Sequence, residues 1–291
     1  VVPRENQDIN EVWLSNRDRF SYQGLSHQDR LQTPMIKRNG QWDKVSFEEA
    51  FEYVTKQVKK RQESPEQIHA LAGSTATVEE YYLLQKIVRT LGSNNLDYRV
   101  MQSDFSQADA ESVEPGIDCG LEDIAQSDAI CIIGAHIRAN QPLLQTRIRQ
   151  ASLNGAQVLS FNPAYFGATW EQDTLHMSRP DTWAEDLKAF YGALEAKKAL
   201  PKMPKELASF AKVLLKAKNP VVLWGEYIQA HPDFANLLYW IEKIIQLVGA
   251  KGGQLSHGSN TRGASIAGFL PHRLPGGLAV DKAGSTWVEM L

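Results

Sequence analysis

Two spacings of apolar residues alternate along this chain. Short, mostly apolar runs at residues 68–72, 129–133, 156–161 and 221–224 have the length of strands buried on both faces. Elsewhere apolar residues recur every three or four positions, the period of a helix with one buried stripe. Ala50, Phe51, Val54 and Val58 predict a helix over about residues 47–61, and Leu84, Ile87, Val88 and Leu91 predict a second. Further helices are expected over residues 143–153 and 181–195, around Phe210, Val213, Leu214 and Ala217, and around Leu237, Ile241, Ile244, Ile245 and Val248.

End signals agree with this reading. Ser46 with Glu49, and Thr77 with Glu80, have the spacing of capping boxes, in which each side chain satisfies a free amide of the first turn. Pro142 suits a first helical position, and Gly92 and Gly155 suit the residue just past a helix end. Asn39-Gly40 predicts a tight turn between residues 35–37 and 42–45.

Strands separated by helices imply an α/β fold of doubly wound, mainly parallel sheets with helices on both faces. Residues 68–72, 129–133 and 156–161 are expected as neighbouring strands. Three parts are expected: an opening segment at 1–65 with a hairpin and the first helix, a first α/β domain at 66–195, and a second α/β region at 196–291 truncated at its C-terminal end. Residues 196–204, rich in Lys, Ala and Pro, read as the connector.

Composition narrows the class. Hydrophobic residues at 43% and charged residues at 22% fit a globular protein and disfavour disorder or a fibrous repeat. A net charge of -3 without a basic tract gives no surface for nucleic acid. Apolar runs fall far short of the roughly 20 residues needed to cross a bilayer, so no direct membrane insertion is expected. Cys119 and Cys131 are too few for a disulfide framework or for the four thiolates of a cluster.

Candidate chemistry lies in the loops after the strands, where open α/β sheets bind ligands on free helix N-termini. Gly73-Ser74-Thr75 is one such loop, and residues 134–141, with His136, Arg138, Asn140 and Gln141, are another. The first also reads as a plain tight turn, and the second as a solvated or subunit-contacting loop. No GxGxxG follows a strand, and no GxxxxGK[ST], GxSxG or HExxH occurs, so the usual signals for nucleotide binding, a nucleophilic serine or a zinc hydrolase are missing. Residues 252–277 hold seven glycines with His257, Asn260, Arg262, His272 and Arg273, and read as a loop of close backbone approach or as a truncated flexible edge; with residues 1–30 they are expected to be held by contacts with other parts of the parent chain or neighbouring subunits.

The ordered series Leu31-Gln32-Thr33-Pro34-Met35-Ile36, Gly40, Trp42, Val45-Ser46-Phe47-Glu48-Glu49-Ala50, Leu91-Gly92-Ser93-Asn94-Asn95-Leu96-Asp97, Ser127-Asp128-Ala129-Ile130 and Arg179-Pro180 resembles the molybdopterin oxidoreductase family. The likeness extends from residue 31 to about 225 and implies the fold type of domains 1–3 of formate dehydrogenase and dimethyl sulfoxide reductase. Residues 10–22, with 98–105 and 267–273, look like the NADH:quinone oxidoreductase large-subunit branch. That branch implies a structural, electron-transfer-supporting piece without chemistry of its own. It also implies 2Fe-2S and 4Fe-4S clusters in an upstream part of the parent chain, and other subunits of the peripheral arm as partners. The expected place is the cytoplasmic side of a bacterial inner membrane or the equivalent matrix side.

Departures from the catalytic members point the same way. Met101-Gln102-Ser103 stands where formate dehydrogenase relatives carry a metal-binding Cys or selenocysteine, and Ser103 offers only a hydroxyl. Gly134-Ala135-His136-Ile137 replaces a frequent Gly-x-Asn-Pro, and Asn162-Pro163-Ala164 a common Asp-Pro-Arg. The expectation is therefore no catalytic residue, no metal ligand, no cofactor in this stretch, and a vestigial pocket at Gly134, His136, Arg138, Asn140, Asn162 and Arg179. The rival readings are a catalytic molybdopterin oxidoreductase such as a formate dehydrogenase, and a free-standing α/β binding module.

Overall fold

A computed structural model of the chain describes residues 1–170 and 174–291. After a short helical turn α1 (Asn16–Phe20), strands β1 (Met35–Arg38) and β2 (Gln41–Lys44) form the expected antiparallel hairpin. Asn39 and Gly40 both take positive φ in its turn. Helix α2 (Phe47–Lys59) starts on Ser46, whose hydroxyl accepts from the Glu49 amide. Only this half of the capping box is formed. The Glu49 carboxylate instead meets Arg38 of the hairpin at 2.5 Å, because an ion pair to a guanidinium outcompetes a bond to the cap amide.

Strand β3 (Ala70–Leu71), helix α3 (Val78–Thr90) and strand β4 (Leu96–Asp97) follow, and β3 pairs in parallel with β4. The capping box of Thr77 and Glu80 is complete. Contrary to the sequence expectation, β3 does not neighbour the later strands. It pairs instead with β4, the strand that returns after α3, in a separate two-stranded sheet.

Next come α4 (Leu121–Ala125), β5 (Ala129–Ile133), α5 (Ile137–Asn140), α6 (Pro142–Leu153), β6 (Gln157–Asn162), β7 (Thr174–Met177), α7 (Trp183–Glu195), α8 (Lys205–Leu214), β8 (Pro220–Trp224), α9 (Glu226–Gln229), α10 (Phe234–Val248), β9 (Lys251–Gln254) and α11 (Thr261–Ile266). Five strands form one parallel sheet in the order β7-β6-β5-β8-β9. The chain winds outward from β5 to β7, then returns to lay β8 on the other side of β5. Strands from both sides of residue 196 therefore share one sheet.

Strand alternation divides the core between the two faces of that sheet. Ala129, Cys131 and Ile133 pack with α7, α8 and α10 through Trp183, Phe190, Phe210 and Ile241. Ile130 and Ile132 point the other way, onto Ile124, Leu144 and Ile148. Full burial on both faces is why these strands read as continuous apolar runs.

The glycine-rich tail is not a loose edge. Gly263, Ala264, Ala267, Phe269 and Leu270 are buried, and Phe269 lies 5.6 Å from Tyr81 of α3 in a third cluster. Arginine side chains staple it. Nη2 of Arg89 donates to the carbonyls of Leu270 (2.9 Å) and Arg273 (2.7 Å), and Nη2 of Arg273 donates to those of Asp109 and Glu111, both at 2.7 Å. The expectation of a tail held by absent partners is corrected accordingly: irregular backbone is buried here because charged donors satisfy its carbonyls. No helix among the described residues is long and apolar enough to cross a membrane.

Candidate functional site

Winding in two directions from β5 creates a switch point between β5 and β8, the position where open α/β sheets take ligands. Both strands end in glycine there, Gly134 and Gly225. Gly134 has φ +57, and a Cβ on it would stand 2.7 Å from Cγ1 of Ile228. A Cβ on Gly225 would stand 2.6 Å from that of Ala135. The two turns are thus pressed together, and the Tyr227 amide donates to the Gly134 carbonyl at 3.0 Å.

The amides that would face a ligand are already bonded. Gly134 N–H donates to the Phe161 carbonyl (2.8 Å) and Ala135 N–H to Oδ1 of Asn162 (2.8 Å). His136 N–H donates to Oε1 of Glu226 at 3.1 Å, and Nδ2 of Asn140 donates to the same oxygen at 2.7 Å. The negative charge in this crevice is the chain's own.

Beside it the rings of His136, Phe166 and Tyr227 form a stack, with centroids 4.4 Å and 5.5 Å apart. Burial first, and then the Glu226 carboxylate, push the Tyr227 phenol above its ordinary value. Under the stack, Arg138, Ser160, Asn162 and Trp170 line a cavity of about 20 Å³, room for about one water.

Five of the six residues expected at a pocket therefore converge: Gly134, His136, Arg138, Asn140 and Asn162. Arg179 does not join them. It sits beyond β7 at the sheet's far edge, exposed and bonded to Asp181. Ser103 lies elsewhere too, its hydroxyl donating to the Ala230 carbonyl at 2.8 Å, while Gln102 is buried with its amide on Glu111. Sequence reasoning missed Glu226 and Phe166. The signal for Glu226 was present, since Trp224-Gly225-Glu226 repeats the strand-glycine-helix pattern of Ile133-Gly134.

A strand-switch cleft between two glycine turns, on a parallel sheet wound both ways, defines a class. The family model for molybdopterin oxidoreductases matches residues 30–286, and the chain belongs to that family. Among relatives, the G-type subunit of the NADH-quinone oxidoreductase of Rickettsia felis is 32% identical over 249 residues, covering 84% of this chain and 33% of that protein. The 75 kDa subunit of the NADH-ubiquinone oxidoreductase of Reclinomonas americana is 28% identical, with 84% and 34% covered. A Staphylococcus aureus protein named for formate dehydrogenase is 23% identical over 97% of this chain and 33% of its own length. Acetylene hydratase from Pelobacter acetylenicus superposes with a TM-score of 0.67 at 14% identity, over 85% of this chain and 39% of that one, a likeness of fold. The chain spans about a third of the length of the curated relatives it matches.

Proposed function

We propose that this chain is a structural part of a respiratory NADH:quinone oxidoreductase, within the large subunit of the 75 kDa type, and that it holds no molybdopterin. It braces the peripheral arm against neighbouring subunits and supports 2Fe-2S and 4Fe-4S clusters carried upstream in the longer polypeptide. Its place is the cytoplasmic face of a bacterial inner membrane or the equivalent matrix face.

The observation that carries this reading is the self-filled switch point. A pterin phosphate arriving at residues 134–136 would find three successive amides already bonded, one of them to Glu226. It would also be repelled by that carboxylate, which already occupies the crevice between the two turns. These residues do not fit the cofactor. Cys119 and Cys131 offer no thiolate alternative: burial, followed for Cys119 by Asp118 and Asp123, raises Cys119 to about 11, and burial alone lifts Cys131 further.

The test is to tag the native full polypeptide, purify it with its partners from membranes, and assay metal content and activity together. NADH-dependent quinone reduction with far substoichiometric molybdenum is expected. Near-stoichiometric molybdenum with formate-dependent dye reduction would overturn the proposal in favour of a catalytic formate dehydrogenase.

A further inference from the structure

The face of β6 that carries Val158 also carries Ser160 and Asn162, because alternate residues of a strand point the same way. Val158 packs there in one apolar cluster with Ile130, Ile132 and Trp170. Ser160 and Asn162 are each 4% exposed and Trp170 is 9% exposed, so three polar groups enter an otherwise apolar layer. Burying such groups is costly unless each finds a partner.

Most of their atoms have none. Oδ1 of Asn162 accepts from the Ala135 amide, which fixes the orientation of the carboxamide and leaves Nδ2 as a donor. Neither that Nδ2 nor Oγ of Ser160 has a hydrogen-bond partner among the described residues. The indole N–H of Trp170 is sealed from bulk solvent and likewise lacks an acceptor. All three side chains line the cavity of about 20 Å³ under the ring stack, and Arg138 is the fourth polar residue of its wall. Nη1 of Arg138 donates to the Gly167 carbonyl at 3.4 Å, across the loop that leads to Trp170. Among the described residues no Asp or Glu lines this cavity, and the Glu226 carboxylate is engaged at the turns by the His136 amide and Asn140.

The sign of this lining is uniform. An indole N–H, a carboxamide NH2 and a guanidinium can only donate, and the Ser160 hydroxyl can donate as well. A water placed here would have two protons of its own to direct, and among these side chains only Oγ of Ser160 can accept one. An occupant that carries no proton and accepts from every side has no such mismatch. The volume admits about one water-sized body, which excludes phosphate and sulfate.

We propose that this cavity is a site for a single monatomic anion, a halide such as chloride, with Ser160, Asn162 and Trp170 as donors and Arg138 as the counter-charge. The site needs no partner subunit, so it stands or falls apart from the respiratory assignment.

The test uses the full polypeptide, with bromide as the probe because its anomalous X-ray scattering separates it from water. Crystals grown in millimolar sodium bromide are expected to show an anomalous peak in this cavity, within hydrogen-bonding reach of Ser160 and Asn162. In solution, replacing gluconate by bromide at constant ionic strength should slow amide exchange over residues 164–170 by about threefold or more, with saturation in the millimolar range. Trp170→Phe removes the N–H and keeps a ring. Asn162→Asp keeps an acceptor for the Ala135 amide and sets a carboxylate oxygen where Nδ2 stood. Both variants should lose the peak and the exchange response. A water without anomalous signal, exchange indifferent to bromide, a full peak in either variant, or a peak only at molar bromide, meaning an adventitious ion only, would each overturn the proposal. If a variant does not fold, the wild-type crystal and exchange measurements decide by themselves.

Discussion

Arg99 and Asp97 form an ion pair sealed from water, with Nε 2.9 Å from Oδ1, Nη2 3.1 Å from Oδ2, and side chains 2% and 0% exposed. Asp97 also accepts from the amides of Tyr98 and Arg99, and from Trp287 near the end of the tail. One carboxylate thus ties β4, the loop after it and the C-terminal residues together. Removing one member of such a pair strands the other charge in a low-dielectric site.

Asp97→Ala is accordingly expected to cost about 3–5 kcal/mol of folding stability, read from urea denaturation. A loss below about 1 kcal/mol would mean that Glu111, 3.4 Å from Nη1 of Arg99, can replace the lost partner.

Acid sensitivity should trace in part to His272. Burial first, then the guanidinium groups of Arg99 and Arg273, push it down to about 4, against an ordinary value near 6.5. Between those values the unfolded chain takes up a proton that the folded chain refuses. Stability is therefore lost as pH falls from about 6.5 toward 4, and His272 has no effect above that window. Glu111 acts in the opposite sense, because burial raises it and the folded chain binds its proton first. The measurement is the difference between the wild type and His272→Gln, followed by urea denaturation from pH 7 to pH 4. The variant should lose less stability on acidification, and parallel curves would sink the assignment.

The parts of the fold legible in the sequence are those whose burial is apolar and whose ends are punctuated. Residues 129–133 stand out because both faces of β5 are covered, and the turn after α6 because Gly155 takes a positive φ there. Strand β9 was not legible. Lys251-Gly252-Gly253-Gln254 reads as loop, yet Gly252 is required there because a Cβ would strike the Val222 carbonyl on the neighbouring strand. Strand β7, Thr174–Met177, was missed because its pattern is mixed and its one buried residue is His176, held by Asp186 at 3.0 Å. The tail was misread for a related reason: its burial is organised by Arg89 and Arg273 acting on carbonyls, and hydropathy does not register such bonds. At the candidate site, the residues that could surround a ligand were readable from strand-loop position, but Glu226 as their occupant depends on which strand lies beside β5. That adjacency is set by the winding of the sheet.

The interlock of the two glycine turns can be probed at Gly225. This residue has φ -136 and ψ -155, an extended backbone that any residue adopts, so a substitution there tests contact and not backbone strain. Its added Cβ would lie 2.6 Å from Cβ and 3.1 Å from Cα of Ala135, and the latter is main chain that can move only with the turn. Gly225→Ala should therefore cost about 1–3 kcal/mol, the range for forcing extra atoms into a packed interior. Gly73→Ala is the matched control. A Cβ at Gly73 meets nothing within 4 Å, so the effect should be neutral or stabilising by up to about 1 kcal/mol. The damage at Gly225 should also be local. Parting the turns lengthens the bond from His136 N–H to Glu226, and that amide should exchange faster with solvent while the amides of β5 keep their protection. If Gly225→Ala matched Gly73→Ala in stability and left the His136 amide unchanged, the two turns would not be pressed together and the crevice between them would be open to a ligand.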